Sequence, residues 1–167
     1  ARLFNAAVRS GRSESEIAAP FDRVSICLSK GLGAPVGSVL TGSSDFIREA
    51  RRWRKVVGGG MRQSGLLAAA GIYVLQNNVG RLAEDHAHAR LLAEGLAEIE
   101  GCEVDPGRVQ TNMVYARILE DQLEGLAERL REEGVLVYPG NPIRLVTHLD
   151  ISREDVDQAV EAFGRIL

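Results

Sequence analysis

The stretch that most constrains the fold is a short apolar run that ends in a serine and a lysine and leads into a glycine-rich turn. This stretch reads VSICLSKGLGAPVG and covers residues 24–37. An apolar run bounded by turn residues predicts a buried strand, and the loop after it begins at Lys30. Because glycine lets a backbone approach a ligand closely, a lysine at this place is suited to forming a Schiff base with a bound carbonyl compound.

Only two side chains of the sequence could form such a bond. Lys30 and Lys55 are the only lysines among its 20 basic residues, and arginine does not form an imine. Lys55 lies in a basic helical run and is expected to face solvent. For Lys30 the alternative is an ordinary charge at the end of a strand, followed by a glycine turn without a ligand. The pattern by itself leaves both interpretations open.

Composition restricts the class of protein. Apolar residues make up 45% of the 167 residues, charged residues make up 26%, and the net charge is −3. This balance is typical of a soluble globular protein and gives no argument for a nucleic-acid or membrane partner. No apolar run approaches the roughly 20 residues that a membrane-spanning helix needs. Because the two cysteines form no disulfide framework, a cytoplasmic enzyme or binding protein is expected.

Hydrophobic periodicity predicts alternating helices and strands along the chain. Helices are predicted at residues 2–9, 14–18, 45–57, 66–76, 81–100, 121–133 and 153–166, and strands at 24–29, 37–41, 111–117, 135–138 and 143–148. The helix at 66–76 is apolar on nearly all sides, which predicts burial in a core or at a subunit interface. A turn-rich connection at 101–110 separates a domain at 1–100 from a small α+β domain at 101–167, whose sheet carries helices on one face.

Two polar clusters are predicted to be surface features. His86 and His88 stand two apart on a helix and point in different directions, so they cannot jointly bind a metal and no metal site is predicted. Both histidines are expected at the surface. The basic face at residues 48–55 is expected to be solvated or to face another subunit. A single tryptophan among its cations is too little for a platform that stacks nucleic-acid bases.

A Schiff base at Lys30 would suit pyridoxal phosphate, which delocalises a carbanion at the α-carbon of an amino acid. Such a site needs groups for the phosphate and a cation for the substrate carboxylate. The candidates are Ser29 and the backbone amides of Gly31 and Gly33 at the phosphate, and Arg144 and Arg2 at the carboxylate. For Arg144 the alternative is an ordinary ion pair with a helix carboxylate.

Longer stretches carry a resemblance to a known family. In chain order they are ARLFNA (1–6), CLSKGLGAPVGS (27–38), GGGMRQ (58–63), AAAGIYVL (68–75), TNMV (111–114) and IRLVTHLDISRE (143–154). They resemble the C-terminal portion of the bacterial low-specificity L-threonine aldolases, pyridoxal-phosphate enzymes with the aspartate aminotransferase-like α/β fold. The resemblance implies part of the large cofactor-binding domain at 1–100 and the small C-terminal α+β domain at 101–167.

The resemblance also implies roles for individual residues. It implies that Lys30 binds pyridoxal phosphate, that Arg2 and Arg144 bind the substrate carboxylate, and that Arg62 reaches the cofactor phosphate across a subunit boundary. The implied reaction is retro-aldol cleavage of L-threonine or L-allo-threonine to glycine and acetaldehyde. The implied assembly is a homotetramer built as a dimer of dimers. His148 receives no role.

Other residues of the family's site lie outside this sequence. By the resemblance, the aspartate at the pyridine nitrogen would precede Ala1, and the phosphate-binding glycine-threonine turn and a ring-stacking histidine belong to the N-terminal half. That half is therefore the expected partner, and the chain alone is expected to have little or no activity. Two alternatives stay open: another amino-acid lyase of this fold, such as a β-eliminating enzyme, and a non-catalytic assembly module.

Overall fold

The computed structural model describes all 167 residues, which form two compact units, Ala1–Leu82 and Ala83–Leu167. The helices and strands are α1 (Leu3–Ser10), α2 (Glu14–Ala18), β1 (Val24–Cys27), β2 (Ser38–Thr41), α3 (Ser44–Val56), α4 (Gly65–Asn77), α5 (Leu82–Ala97), β3 (Cys102–Glu103), β4 (Met113–Ile118), α6 (Leu126–Glu132), β5 (Ile143–Val146) and α7 (Arg153–Ile166). None of the helices combines the length and the apolar character needed to cross a membrane. The predicted domain boundary after residue 100 stays a prediction.

The first unit contains an antiparallel hairpin of β1 and β2, in which Val24 stands opposite Thr41 and Cys27 opposite Ser38. Its core is small and is built around the residues that follow β1. The buried apolar residues of this core are Leu28, Leu32, Ala34, Val74 and Leu82. Phe4 and Val8 of α1 pack against them, as expected from the helical spacing of the opening residues.

Two helices of the first unit keep much of their apolar surface exposed. α3 has no buried residue, and Trp53 on it is 58% exposed. α4 buries only Gly71 and Val74, whereas Tyr73 remains 62% exposed. The predicted helices are present, but the burial predicted for the second of them is confined to one side within this chain. The alternative, burial at a subunit interface, stays a prediction.

The second unit is a three-stranded antiparallel sheet in the order β3-β4-β5, with helices on one face. The side chains of β4 alternate, so that Val114, Ala116 and Ile118 are buried. Leu96 of α5 and Phe163 of α7 are fully buried in the same core. The predicted small sheet with helices on one face is therefore confirmed, and the other face of the sheet is exposed.

Local capping sets the start of two helices. Ser13 and Glu16 form a capping box at α2, and Ser152 and Asp155 form one at α7. In each box the serine hydroxyl accepts a hydrogen bond from the backbone N–H of the acidic residue three positions later. The carboxylate of that residue accepts a hydrogen bond from the backbone N–H of the serine. Both helix starts were predicted from these residues and are confirmed.

The strand predicted at residues 135–138 is wrong. Val135 and Val137 pack against the core, while Leu136 and Tyr138 are exposed, so the side chains do alternate as in a strand. No strand pairs with this segment, and the N–H of Val135 donates to the Leu130 carbonyl in the last turn of α6. The alternation of apolar side chains in residues 135–138 therefore reflects which side chains face the core, and it does not indicate strand pairing.

The surface position predicted for His88 is also wrong. His88 is only 7% exposed, whereas His86 is half-buried. His88 stands three residues after the buried Asp85 and four before the buried Leu92, which places all three on the inward side of α5. A further difference is the short strand β3, which was expected to be part of a loop.

Candidate active site

Lys30 follows β1 as predicted and begins a tight turn. The N–H of Gly33 donates to the Lys30 carbonyl at 2.8 Å, and Gly33 has a positive φ of 78°. A second pair of bonds closes the base of the loop: the N–H of Ala34 donates to Leu28 and the N–H of Leu28 donates to Gly37, both at 3.0 Å. The exposed Lys30 side chain therefore extends from a loop whose backbone is fixed on both sides.

The loop also packs tightly against its surroundings at Gly31. A Cβ placed on Gly31 would lie 2.9 Å from Cδ2 of Leu82 and 3.2 Å from Oδ1 of Asn5, both of which are buried. Nδ2 of Asn78 donates to the carbonyl of Leu32 at 2.7 Å. Only glycine fits at position 31 without displacing these neighbours. Packing therefore requires a glycine directly after Lys30.

The Cys27 thiol lies among the polar groups just before Lys30. The Ser29 hydroxyl lies 3.5 Å from Sγ of Cys27. The pKa of the Cys27 thiol is lowered, mainly by this hydrogen bond, with smaller contributions from Ser38 and from the positive charge of Lys30. The hydrogen bond and the lysine charge therefore favour the thiolate form of Cys27.

Arg2 lies at the start of α1. Its backbone carbonyl accepts a bond from the N–H of Ala6 at 3.0 Å, and its side chain is half-buried. Asn5, which stands one helical turn later, is the residue that lies against Gly31. The N-terminal end of α1 therefore packs beside the loop that begins at Lys30, and Arg2 lies at this end of the helix.

Arg62 lies on the exposed segment between α3 and α4. The preceding glycines fold back on the end of α3: Gly58 has a φ of 89°, and a Cβ on Gly59 would lie 2.9 Å from the carbonyl oxygen of Arg54. Gln63, directly after Arg62, has a positive φ of 51°, which is uncommon for a residue with a side chain. The backbone around Arg62 is thus held in an unusual path.

Arg144 is on the exposed face of β5, in the second unit. Its neighbours Ile143 and Leu145 on the same strand are buried. Tyr115 of β4, which is 52% exposed, stands directly opposite Arg144 and therefore shares its face of the sheet. No carboxylate of the chain forms an ion pair with Arg144, so the alternative of an ordinary ion pair does not hold within this chain.

A cleft of about 780 Å³ opens in the second unit. Its lining residues are Ala97, Cys102, Glu103, Val104, Asp105, Arg108, Val109, Met113, Tyr115, Arg117 and Pro142. The charges in it are mixed, with two arginines and two carboxylates. Tyr115 belongs to the lining but Arg144 does not, so the cleft lies beside the exposed arginine and does not enclose it.

The structure brings some of the predicted site residues together and leaves others apart. Residues 29–31 form one loop, and Arg2 lies on the helix packed beside it. Arg62 lies on a separate exposed segment of the same unit, and Arg144 belongs to the other unit. The functional roles of these residues stay predictions. Tyr115 was not identified from the sequence as a neighbour of Arg144. The alternation of side chains along β4 is the signal that could have placed Tyr115 on the exposed face.

Comparison with known proteins gives related sequences along the whole chain. The sequence profile of the beta-eliminating lyase family matches residues 1–119. The low specificity L-threonine aldolase of Escherichia coli (strain K12) is 52% identical over 156 residues, which cover 93% of this chain and 46% of that protein. The chain thus spans about half the length of the relatives that it matches.

Solved structures show the fold. Threonine aldolase of Leishmania major superposes with a TM-score of 0.78 at 21% identity, over 99% of this chain and 49% of that one. Serine palmitoyltransferase of Sphingomonas wittichii superposes with a TM-score of 0.72 at 20% identity, over 92% and 41%. The predicted α/β fold and the predicted resemblance to the low-specificity L-threonine aldolases are confirmed. The chain belongs to the beta-eliminating lyase family.

Proposed function

We propose that this chain supplies the lysine-bearing part of the active site of a pyridoxal-phosphate-dependent lyase. The proposed reaction is the retro-aldol cleavage of L-threonine or L-allo-threonine to glycine and acetaldehyde. The observation that carries the proposal is the exposed Lys30 on a loop whose backbone is hydrogen-bonded on both sides. Similarity to proteins named L-threonine aldolase supports the proposed substrate class.

The residues around Lys30 fit the cofactor. Ser29 and Lys30 are adjacent and exposed at the start of the loop, so they present a hydroxyl donor and a positive charge that suit an anionic phosphate. Ser29 and the backbone amide of Gly31 are assigned to the phosphate. Arg62 is assigned to the same phosphate, from a neighbouring subunit. When bound, pyridoxal phosphate supplies the electron sink for a carbanion at the substrate α-carbon.

The arginines bind and orient the substrate in this proposal. Arg144 is exposed and free of ion pairs, so its guanidinium can donate two parallel hydrogen bonds to the substrate carboxylate. Arg2 is assigned to the same carboxylate. A fixed carboxylate fixes the direction of the Cα–Cβ bond, which is the bond that breaks. The β-hydroxyl proton leaves as the aldehyde carbonyl forms, and a proton returns to Cα, so threonine gives glycine and acetaldehyde.

The partners proposed for the chain are an N-terminal half of the enzyme and further copies in a dimer of dimers. Exposed apolar side chains on α3, α4 and the segment between them support such contacts. They are Trp53, Val56, Val57, Met61, Leu66, Ile72 and Tyr73, each more than half exposed. Apolar surface of this extent is typical of a surface that another protein segment covers. The proposed location is the cytoplasm.

The test uses a reconstituted enzyme, meaning this chain together with an N-terminal half. Borohydride should trap pyridoxal phosphate on Lys30, as located by peptide mass spectrometry. Lys55 is the matched control, since it is the only other lysine. Lys30→Ala should lose the visible absorption of the bound cofactor and the release of acetaldehyde from threonine, whereas Lys55→Ala should keep both.

Two other outcomes would contradict the proposal in different ways. Release of pyruvate and ammonia from serine, without acetaldehyde from threonine, would identify a β-eliminating enzyme, which the family description favours as the second candidate. Absence of any trapped cofactor would remove the assignment of Lys30 and leave the chain as a non-catalytic assembly module. The chain without its N-terminal half is expected to release little or no acetaldehyde.

A further inference from the structure

β5, the strand that carries Arg144, is only four residues long and pairs with β4 alone. In its register Ile143 stands opposite Ala116, and Leu145 stands opposite Val114. Because side chains of a strand alternate between the two faces, a slip of one residue would turn Arg144 from the exposed face to the buried face. The position of its guanidinium therefore depends on what fixes the register of so short a strand.

At the start of β5 the register is fixed by a side chain. Continuing the ladder by two residues would place residue 141 opposite Ile118. The N–H of Ile118 donates to Oδ1 of Asn141 at 3.0 Å, and Nδ2 of Asn141 donates to the Ile118 carbonyl at 2.8 Å. The side-chain amide of Asn141 thus makes the two bonds that the backbone of an antiparallel partner would make.

At the other end of β5, Asn112 stands just before β4, and its backbone and its side chain each make one of the two bonds. The N–H of Thr147 donates to the Asn112 carbonyl at 3.1 Å, and Nδ2 of Asn112 donates to the Thr147 carbonyl at 2.7 Å. The Thr147 hydroxyl in turn donates to the carbonyl of Asp85 on α5 at 2.6 Å. Asn112, Thr147 and Asp85 are all buried, so this end of the strand is also fixed to the helix layer.

We propose that Asn141 and Asn112 are positioning residues for Arg144. Their side-chain amides close the hydrogen-bonded ladder at both ends of β5 and hold Arg144 on the outward face, beside Tyr115. This inference rests on the proposed function, in which Arg144 binds the substrate carboxylate. Asn112 is fully buried, whereas Asn141 is exposed, so Asn141 is the residue to change without disturbing the core.

The experiment is a double-mutant cycle of Asn141→Ala and Arg144→Ala in the reconstituted enzyme. Asn141→Ala removes both bonds to Ile118 and should raise the KM for L-threonine about fivefold, with kcat changed less than about twofold, because part of their net contribution is lost from substrate binding. In the Arg144→Ala background, Asn141→Ala should raise KM no further, because residues that act through one group are not additive. Deuterium exchange of the peptide that spans residues 141–147 should become faster in Asn141→Ala.

Gln122→Ala is the matched control for stability. Nε2 of Gln122 donates to the Leu167 carbonyl in the same unit, so the variant loses a side-chain bond that belongs to neither end of the β4–β5 ladder. Its melting temperature should fall while the KM stays unchanged. An equal rise of KM in Gln122→Ala would mean that Asn141 acts only through general stability.

The outcomes separate this inference from the proposed function. If Arg144→Ala raises KM but the effect of Asn141→Ala multiplies with it, the positioning role is wrong and the role of Arg144 stands. If exchange at residues 141–147 does not change, Asn141 does not fix the strand. If Arg144→Ala leaves KM unchanged, the substrate role of Arg144 is wrong, and the positioning role falls with it.

Discussion

The hydroxyl of Ser29 lies 3.5 Å from the thiol of Cys27, on the strand that leads into Lys30. This hydrogen bond is the largest cause of the lowered pKa of Cys27. The other cysteine is in the opposite situation, because burial raises the pKa of Cys102 to about 11. The two thiols of one chain therefore have pKa values shifted in opposite directions, and each serves as the control for the other.

The first prediction concerns alkylation of these thiols in the isolated chain. Iodoacetamide at pH 8 should modify Cys27 and leave Cys102 unmodified. Ser29→Ala should move the pH midpoint of Cys27 alkylation upward, because the thiolate loses the hydrogen bond that stabilises it. Peptide mass spectrometry over a pH series measures both. Modification of Cys102 at the same rate, or an unchanged midpoint in Ser29→Ala, would show that the hydrogen bond does not set the reactivity.

The second prediction concerns Gly31. A methyl group there would lie 2.9 Å from Leu82 and 3.2 Å from Asn5, both buried. Gly31→Ala should therefore lower the free energy of unfolding by about 1–3 kcal/mol through overpacking. Urea unfolding followed by circular dichroism measures the change.

Gly65→Ala is the matched control for Gly31→Ala. Gly65 opens α4, has no atom within 4 Å of an added Cβ and does not have a positive φ. Its replacement should be neutral or should stabilise by about 0.4–1 kcal/mol, because alanine restricts the unfolded chain. Equal effects of the two substitutions would contradict the packing role assigned to Gly31.

The features that could be predicted from the sequence depend on neighbours along the chain. The loop at Lys30 follows from an apolar run and the glycines directly after it. The start of α7 follows from Ser152 and Asp155, three residues apart. In both cases the groups that form the hydrogen bonds lie close together in sequence, so a local sequence pattern is enough to predict the interaction.

The features that could not be predicted depend on partners that lie far along the chain. Residues 135–138 alternate like a strand, but a strand also needs a free backbone edge beside it, which the pattern does not contain. The burial of His88 depends on which side of α5 the sheet covers. The amide of Asn141 bonds to Ile118, 23 residues away, and its role follows only from the register of β4 and β5.

The third prediction concerns the pH dependence of the capping box at α7. The backbone N–H and the hydroxyl of Ser152 donate to the Asp155 carboxylate, and they lower its pKa in the folded state. A lowered pKa means that the stabilisation is present above the pKa of the unfolded chain and is lost as the pH falls through the folded value. The loss should therefore begin below about pH 4, the ordinary range of aspartate.

Asp155→Asn tests this dependence. Its free energy of unfolding should be lower than that of the unmodified chain at neutral pH, and the difference should disappear in acid. Asp157→Asn on the same helix is the control, because Asp157 forms only an exposed ion pair with Arg153 at 3.1 Å, and such pairs contribute little. Urea titrations at several pH values compare the three proteins. A difference that persists unchanged at low pH would contradict the role of the carboxylate charge.

The fourth prediction concerns Arg129, which holds the end of α7. Its guanidinium donates to the carbonyls of Gln122 at 2.8 Å and Ile166 at 3.2 Å. Arg129→Met keeps the apolar stem but leaves these carbonyls without their charged donor, so the free energy of unfolding should fall by about 2 kcal/mol. Arg131→Met, an exposed position on the same helix, should change it by less than about 0.5 kcal/mol. Urea unfolding measures the free energy of unfolding of both variants. Equal decreases in the two variants would mean that the positive charge of α6 stabilises the unit and that the hydrogen bonds to these carbonyls do not.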